Sequence, residues 1–153
     1  MNYQDWEELF GRAADDSQLR KKLVDAGIKR KIKIARDELS ETVELKGEGM
    51  EITFTDDSVM RPNDGGIVGR AILSEVMMVF DDAGGDVYKG PMPHKIKQSD
   101  SRATLRAKFG KPKESSSEFR WDAWLIDGLT LTLRYSQDLK SLRVVSLSLP
   151  EAE

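Results

Sequence analysis

The side chains best suited to chemistry in this chain are paired carboxylates. Asp56-Asp57 and Asp81-Asp82 are adjacent pairs, and Glu44 and Glu51 fall on one face of a predicted hairpin. Two carboxylates in one cleft can act as general acid and general base in hydrolysis. The aspartate pairs, however, lie at predicted strand ends, where acidic residues serve turns and solubility. Glu44 and Glu51 have no neighbour that marks them as an acid and base pair, so a small hydrolase is the least favoured function.

Nucleophilic and metal chemistry have few candidate residues. The chain has no cysteine, which excludes thiolate nucleophiles, disulfides and Cys-based zinc sites. Its one histidine, His94, lies in a proline-rich connector, with no Ser and Asp spacing that indicates a triad. The acidic turn DDAGGD at 81–86 lacks the alternating ligands and distal glutamate of a calcium loop. The sequence predicts no catalytic residue, no metal and no cofactor.

The composition is that of an ordinary globular protein. The 153 residues, 39% hydrophobic and 33% charged, are enough to bury one sizeable core. With 24 basic and 27 acidic residues, the net charge of −3 is too balanced to indicate nucleic-acid or membrane binding. The basic run at 29–33 alternates with isoleucines and predicts an edge strand or a loop. No signal-peptide pattern or long apolar run is present, so we expect a cytoplasmic protein.

A β-hairpin at 119–135, FRWDAWLIDGLTLTLRY, is the element expected to position a binding surface. Asp127-Gly128 favours a two-residue turn, which places Trp121 opposite Arg134 and Trp124 opposite Leu131. One face is predicted to be core: Trp124, Ile126, Leu129, Leu131, Leu133 and Tyr135. The other is predicted to be semi-exposed: Phe119, Trp121, Ala123, Leu125, Thr130, Thr132 and Arg134.

The remaining periodicity predicts a second hairpin, three helices and two further strands. The second hairpin covers 39–55 and turns near Lys46-Gly47, with Thr42, Glu44, Glu51, Thr53 and Thr55 on its polar face. Capping residues and terminal glycines predict helices at 2–11, 16–27 and 101–110. Strands are predicted at 76–80, apolar on both sides, and at 143–149. The segment 113–118 is predicted to be a flexible loop.

The two halves of the chain share an order of elements. Residues 46–57 align without a gap on 127–138, and each half contains a helix, a loop, a hairpin and a further strand. This predicts an α+β protein, residues 1–153, in one compact domain of two pseudo-repeats at about 14–90 and 95–150. Each repeat lays one helix on an antiparallel sheet, and an extra N-terminal helix covers the seam. Whether the two sheets abut or are continuous stays open.

The segment SDSRATLRAKFGKP at 99–112, followed by a Trp-bearing strand and LTLTLRY, resembles a known structural unit. It is similar to the helix and antiparallel-strand unit of the β-lactamase-inhibitor-protein-like and small outer-membrane assembly lipoprotein folds, and the inhibitors are also tandem repeats. The chain lacks the lipoprotein cysteine and the inhibitors' disulfides, which argues against a periplasmic or secreted role. In its cysteine content and mildly acidic charge, the chain also resembles bacterial toxin-immunity proteins, which are cysteine-poor, mildly acidic and cytoplasmic.

Protein binding is the function that these observations favour. Trp121 and Arg134 are expected to stack on each other and to anchor a partner, because Trp and Arg are enriched in interface hot spots. Alternatively, Trp121 packs beneath the N-terminal helix or the neighbouring repeat. The remaining candidate contacts are Thr130 and Thr132, together with the acidic face of Glu44, Glu51 and Thr53, which suits a basic toxin such as a nuclease.

We therefore expect a non-enzymatic inhibitor, of the bacterial immunity type, that neutralises a cognate toxin. The alternative is a structural or assembly adaptor, which would use the same face for another partner. In either case the expected partner is a protein, with no nucleic acid and no membrane, and the chain is expected to be a monomer or a dimer.

Overall fold

A computed structural model describes residues 1–80 and 85–151. The Asp81-Asp82 pair lies outside the described residues, as does most of the predicted acidic turn at 81–86. The described part contains four α-helices: α1 (Tyr3–Glu7), α2 (Ser17–Asp25), α3 (Asp57–Met60) and α4 (Arg102–Phe109). It contains seven strands: β1 (Ser40–Leu45), β2 (Met50–Asp56), β3 (Ala71–Val79), β4 (Glu114–Ser116), β5 (Trp121–Ile126), β6 (Leu129–Tyr135) and β7 (Leu142–Ser148). The predicted α+β class is confirmed.

The seven strands form one antiparallel sheet in the order β1-β2-β3-β7-β6-β5-β4. The strands β3 and β7 pair in its interior, from Glu75 opposite Ser148 to Val79 opposite Val144. The sheets of the two halves are therefore continuous, which the sequence left open. In the first half the helix α2 precedes three neighbouring strands, and in the second half α4 precedes four. The predicted repeat relationship between the halves stays a prediction.

The hairpin of β5 and β6 has the predicted turn and register. Asp127 and Gly128 have φ angles of 53° and 81°, the positive values that a two-residue turn of this kind needs. Trp121 lies opposite Arg134, as predicted. The inclusion of Phe119 in the strand was wrong, because Arg120 has a φ of 57° that turns the chain, and Phe119 is exposed.

The hairpin of β1 and β2 is also confirmed, with Glu44 opposite Glu51 and Thr42 opposite Thr53. Its turn ends at Gly49, which has a φ of 67°. The backbone of Tyr88 passes so close to Gly49 that a Cβ atom would overlap the Tyr88 nitrogen. Both features require glycine at this position.

The helices α2 and α4 begin and end close to the positions that the capping residues predicted. Asp16 and Ser101 accept hydrogen bonds from the first-turn amides, and Gly27 and Gly110 follow the last turns with φ angles of 87° and 86°. The first helix is shorter than the predicted 2–11. After Glu7 the chain turns, and residues 11–14 make backbone hydrogen bonds to the start of β3 instead.

The core lies on one side of the sheet. The buried apolar side chains of the described helices all belong to it: Tyr3, Trp6, Leu19, Leu23 and Leu105. They cluster with the inward-facing side chains of the strands, among them Ile52, Phe54, Val76, Leu131, Leu133, Tyr135 and Val145. The helices therefore cover one face of the sheet and leave the alternate side chains of the strands on the other.

Two predicted loops have different outcomes. The basic run lies in a loop, in which Ile32 and Ile34 are buried and Lys31 and Lys33 are exposed. The segment 113–118 was predicted to be a flexible loop, but it contains β4, which pairs with β5 at the edge of the sheet. This strand was missed because Glu and Ser have low strand propensity, and it forms against an edge that β5 already provides.

Candidate functional site

The candidate site is the face of the sheet that is turned away from the helices, here called the open face. The strand registers place the following residues on it: Thr42, Glu44, Glu51, Thr53, Thr55, Glu75, Met77, Val79, Trp121, Ala123, Leu125, Thr130, Thr132, Arg134, Val144, Ser146 and Ser148. All seven residues predicted to bind a partner therefore share one face of one continuous sheet. This placement follows from the alternation of side chains along paired strands.

Trp121 and Arg134 form one end of the open face. Trp121 is half-buried and Arg134 is exposed. The register places Trp121 on the face away from the helix-covered core, so the alternative that packs Trp121 beneath the N-terminal helix is wrong. The predicted stacking is also wrong, because the one cation–π contact in the described part of the chain joins Lys108 and Phe109. Arg134 lies across from Trp121 in the register, and its side chain is exposed.

Thr130 and Thr132 continue the open face from this end towards its centre. Thr130 lies between Leu125 and Ser148, and Thr132 lies between Ala123 and Ser146. Both threonines are half-buried, and Ala123, Ser146 and Ser148 on the neighbouring strands are small. This arrangement gives the centre of the open face hydrogen-bonding groups that rotate to suit a partner.

Glutamates dominate the other end of the open face. Glu44 is exposed and lies opposite the half-buried Glu51, and Glu75 lies on the next strand opposite Thr53. The Ser146 hydroxyl donates a hydrogen bond of 2.7 Å to the Glu75 carboxylate and so holds this side chain over the sheet centre. Three negative charges thus stand on β1, β2 and β3, which favours a partner with a basic surface.

Thr53 needs a correction as a predicted contact residue. It lies on the open face, but only 9% of its surface is exposed. Its hydroxyl shares a hydrogen bond of 2.9 Å with the Thr42 hydroxyl on the neighbouring strand. Thr53 therefore supports β1 against β2, while the exposed Thr42 beside it presents a hydroxyl to solvent.

Sequence reasoning missed a buried polar cluster directly beneath the aromatic end of the open face. The Asp122 carboxylate, only 1% exposed, accepts hydrogen bonds of 2.9 and 2.7 Å from the Arg106 guanidinium on α4. It also accepts a hydrogen bond of 2.8 Å from the Tyr135 hydroxyl. The hydrogen bond from Arg106 to Asp122 raises the pKa of Arg106, and burial together with Asp122 raises the pKa of Tyr135.

One feature of the sequence indicates this buried cluster, namely a carboxylate at a predicted core position. In the predicted register Asp122 lies opposite Leu133 on the core face, where a carboxylate is costly to bury without a cationic partner. Such a position predicts a buried ion pair, although the alternation alone does not name its partner. The cluster ties α4 to β5 and β6, and it fixes the backbone that carries Trp121.

The Asp56-Asp57 pair closes a loop and is not arranged for hydrolysis. The Asp57 carboxylate, 1% exposed, accepts two hydrogen bonds of 2.8 Å from the Arg61 guanidinium. The hydrogen bonds from Arg61 lower the pKa of Asp57 to about 2. The pKa of Asp56 is also lowered, because hydrogen bonds from Ser58 and Gly69 outweigh the effect of burial. Both carboxylates are therefore ionised and occupied by groups of their own chain.

Glu44 and Glu51 do not share an enclosed cleft. Glu44 lines an open pocket of about 500 Å³ at the edge of β1, together with Lys29, Arg30 and Lys46. Glu51 lies on the next strand and does not line that pocket. A pair of carboxylates on an open sheet surface is not shielded from water and lacks the environment that tunes a general acid.

Comparison of the chain with protein-family models, with curated proteins and with solved structures found no match. Residues 1–80 and 85–151 contain no group of three or more histidines and acidic residues arranged to hold a metal ion. The helices in this part of the chain are too short or too polar to cross a lipid bilayer.

Proposed function

We propose that this protein is a non-enzymatic inhibitor that binds another protein through the open face, as a bacterial immunity protein binds its cognate toxin. One observation carries the proposal: a sheet face not covered by the described helices has Trp121 and Arg134 at one end and three glutamates at the other. Trp and Arg are the side chains enriched among interface hot spots. The glutamates favour a toxin with a basic surface, such as a nuclease.

The arrangement of the acidic residues supports a binding protein over an enzyme. The Asp56 and Asp57 carboxylates serve the chain itself, and Glu44 and Glu51 lie on an open surface. The resemblance to cysteine-poor immunity proteins and the lack of cysteine in this chain favour the bacterial cytoplasm as its location.

The test uses the purified chain and the purified protein encoded beside its gene, because an immunity gene lies beside its toxin gene. Calorimetric titration is expected to give a complex, and the toxin's activity is expected to fall as the complex forms. Failure to form a complex would refute the proposal. Binding without inhibition would indicate a structural or assembly adaptor instead.

Matched variants locate the interface. Arg134→Ala is expected to weaken the complex by about tenfold, the effect of losing one hot-spot side chain. Arg143→Ala is the control, because Arg143 is an exposed arginine of the neighbouring strand that lies at a register shift and has no cross-strand partner on the open face. Glu44→Gln is expected to reduce the salt dependence of association. Equal effects of the two arginine variants would place the interface elsewhere.

A further inference from the structure

The outer edge of β1 is the longer of the two free edges of the sheet. β1 has six residues, whereas β4 at the opposite edge has three. The Asp56 amide donates a hydrogen bond of 2.9 Å to the Leu39 carbonyl, which fixes the bonding pattern of β1 with β2. In this pattern Ser40, Thr42 and Glu44 turn their backbone amides and carbonyls away from β2. No hydrogen bond between described residues involves these backbone groups.

A second copy of β1 fits this edge. Unpaired donors and acceptors along a strand bind an extended chain by the pairing that holds a sheet together. In an antiparallel pair about a two-fold axis, Thr42 lies opposite Thr42 of the second copy, and Ser40 lies opposite Glu44. This register forms about six backbone hydrogen bonds and leaves no outward-facing residue of β1 unpaired. A shift of two residues in either direction leaves one of them unpaired, and one of the two shifts places Glu41 opposite Glu41.

The same register brings an exposed leucine to an apolar pocket. Leu39 is 68% exposed and lies directly before β1. In the paired copies Leu39 lies opposite Leu45 of the second copy, on the side of the sheet that the helices cover. The pocket of about 500 Å³ opens there, because its lining includes Val43 and Lys46 on both sides of Leu45. Ile28 adds apolar surface to this pocket. Each copy thus offers one leucine to the pocket of the other.

The charges near the axis are compatible with this register. Glu38 and Lys46 are exposed just outside the two ends of β1, so each Glu38 falls opposite Lys46 of the second copy. The two Glu41 carboxylates are diagonal neighbours across the axis, and each accepts a hydrogen bond of 2.8 Å from Arg30 of its own copy. The two Glu44 residues lie about 13 Å apart along the strands, beyond a Debye length of about 8 Å.

We propose that two copies of the chain associate through β1, so that the seven strands of each copy join into one sheet across a two-fold axis. This dimer goes beyond the proposed function and does not depend on it. It joins the two open faces into one surface, with the glutamates at its centre and Trp121 of each copy at its outer ends. Because the contact is one strand pair with two leucines, we expect a dissociation constant on the order of 10 μM.

Sedimentation velocity of the purified chain, at concentrations below and above this value, measures the dimer. Thr42→Pro is expected to abolish it, because proline removes the central outward amide, and a proline is tolerated in an edge strand where that amide faces solvent. Thr42→Val is the matched control, since it removes the hydroxyl that bonds Thr53 and keeps the amide, and it should leave the dimer intact. Equal dimerisation of the two variants would overturn the proposal.

A pair of leucine variants tests the pocket contact. Leu39→Ser is expected to weaken the dimer by about tenfold, because its side chain then leaves the apolar pocket empty. Leu125→Ser is the control, since Leu125 is 52% exposed on β5, far from the β1 edge, and it should leave the dissociation constant unchanged. Equal effects of the two substitutions would place the contact elsewhere and overturn the proposal.

Exchange of charges distinguishes a second copy from any other occupant of the edge. Glu38→Lys and Lys46→Glu should each weaken the dimer by about tenfold, because each places like charges opposite one another at two symmetric positions. An equal mixture of these two variants should associate as well as the wild type, because the substituted positions then face each other with opposite charge. A wild-type chain that stays monomeric, or a mixture no better than the single variants, would overturn the proposal.

Discussion

The change Asp122→Asn tests whether the buried cluster holds the strand that presents Trp121. The substitution preserves the size of the side chain and removes its charge. It replaces one of the two carboxylate oxygens by an NH₂ group, which cannot accept the hydrogen bonds that Arg106 and Tyr135 donate. At least one donor, on Arg106 or on Tyr135, then faces the new NH₂ group and loses its acceptor.

The expected loss of unfolding free energy depends on how exposed Arg106 and Tyr135 are. Breaking a buried ion pair by removing one member costs about 3–5 kcal/mol. Arg106 is 40% exposed and can bind water, which places the cost at the lower end, whereas the hydroxyl of the fully buried Tyr135 has no other acceptor. We expect Asp122→Asn to lower the free energy of unfolding by about 3 kcal/mol. Tyr135→Phe, which leaves the ion pair intact, should cost about 1 kcal/mol.

Urea unfolding followed by tryptophan fluorescence measures both effects. A loss of about 3 kcal/mol corresponds to a midpoint lower by about 1.5 M urea, for a slope of about 2 kcal/mol per molar. Asp127→Asn is the matched control, since Asn tolerates the positive φ of that turn position, and it should stay within about 0.5 kcal/mol of the wild type. An Asp122→Asn midpoint as close to wild type as that of the control would refute the reasoning.

Three further predictions concern single positions. Trp121→Ala should cost less than about 1.5 kcal/mol in urea unfolding, because the ring is half-buried on an open face, and a larger loss would make Trp121 a core residue. Asp57 has a pKa of about 2 against an ordinary 3.8, so it stabilises the fold above about pH 4 and loses that contribution as the pH falls through 2. Asp57→Asn should flatten the dependence of unfolding free energy on pH in that window, and an unchanged slope would contradict this. Gly49→Ala should lower the melting temperature more than Gly47→Ala, since both have positive φ but only Gly49 abuts the backbone of Tyr88, and equal losses would mean that the close approach carries no cost.

Features set by neighbouring residues were predictable from the sequence. The Asp127-Gly128 turn fixes the register of β5 and β6 because both of its residues tolerate positive φ, and that register alone gave the position of Arg134 opposite Trp121. The ends of α2 and α4 followed from capping side chains that act on the next turn of the backbone. The open face was therefore predictable within each hairpin.

Features set by distant residues were not predictable in this way. The pairing of β3 with β7 joins the two hairpins into one sheet, and nothing local to either strand specifies it. The partner of Asp122 lies on a different element, and β4 exists only because β5 offers it an edge. The hydrogen bonds of residues 67–69 were not predictable for the same reason, since the amides of Ile67 and Gly69 donate to the carboxylates of Asp57 and Asp56 at the start of α3.

The central pairing of β3 and β7 has a consequence for how the chain folds. Ser146 and Glu75, joined across this pair, are 71 positions apart in the chain, so the contact closes only after a long loop has been ordered. Topologies dominated by such contacts fold slowly, in about milliseconds to seconds. During synthesis β3 leaves the ribosome well before β7, and its edge stays unpaired in the interval. The nascent chain thus exposes EVMMV at 75–79, a largely apolar strand edge open to association with other chains, until its C-terminal half arrives.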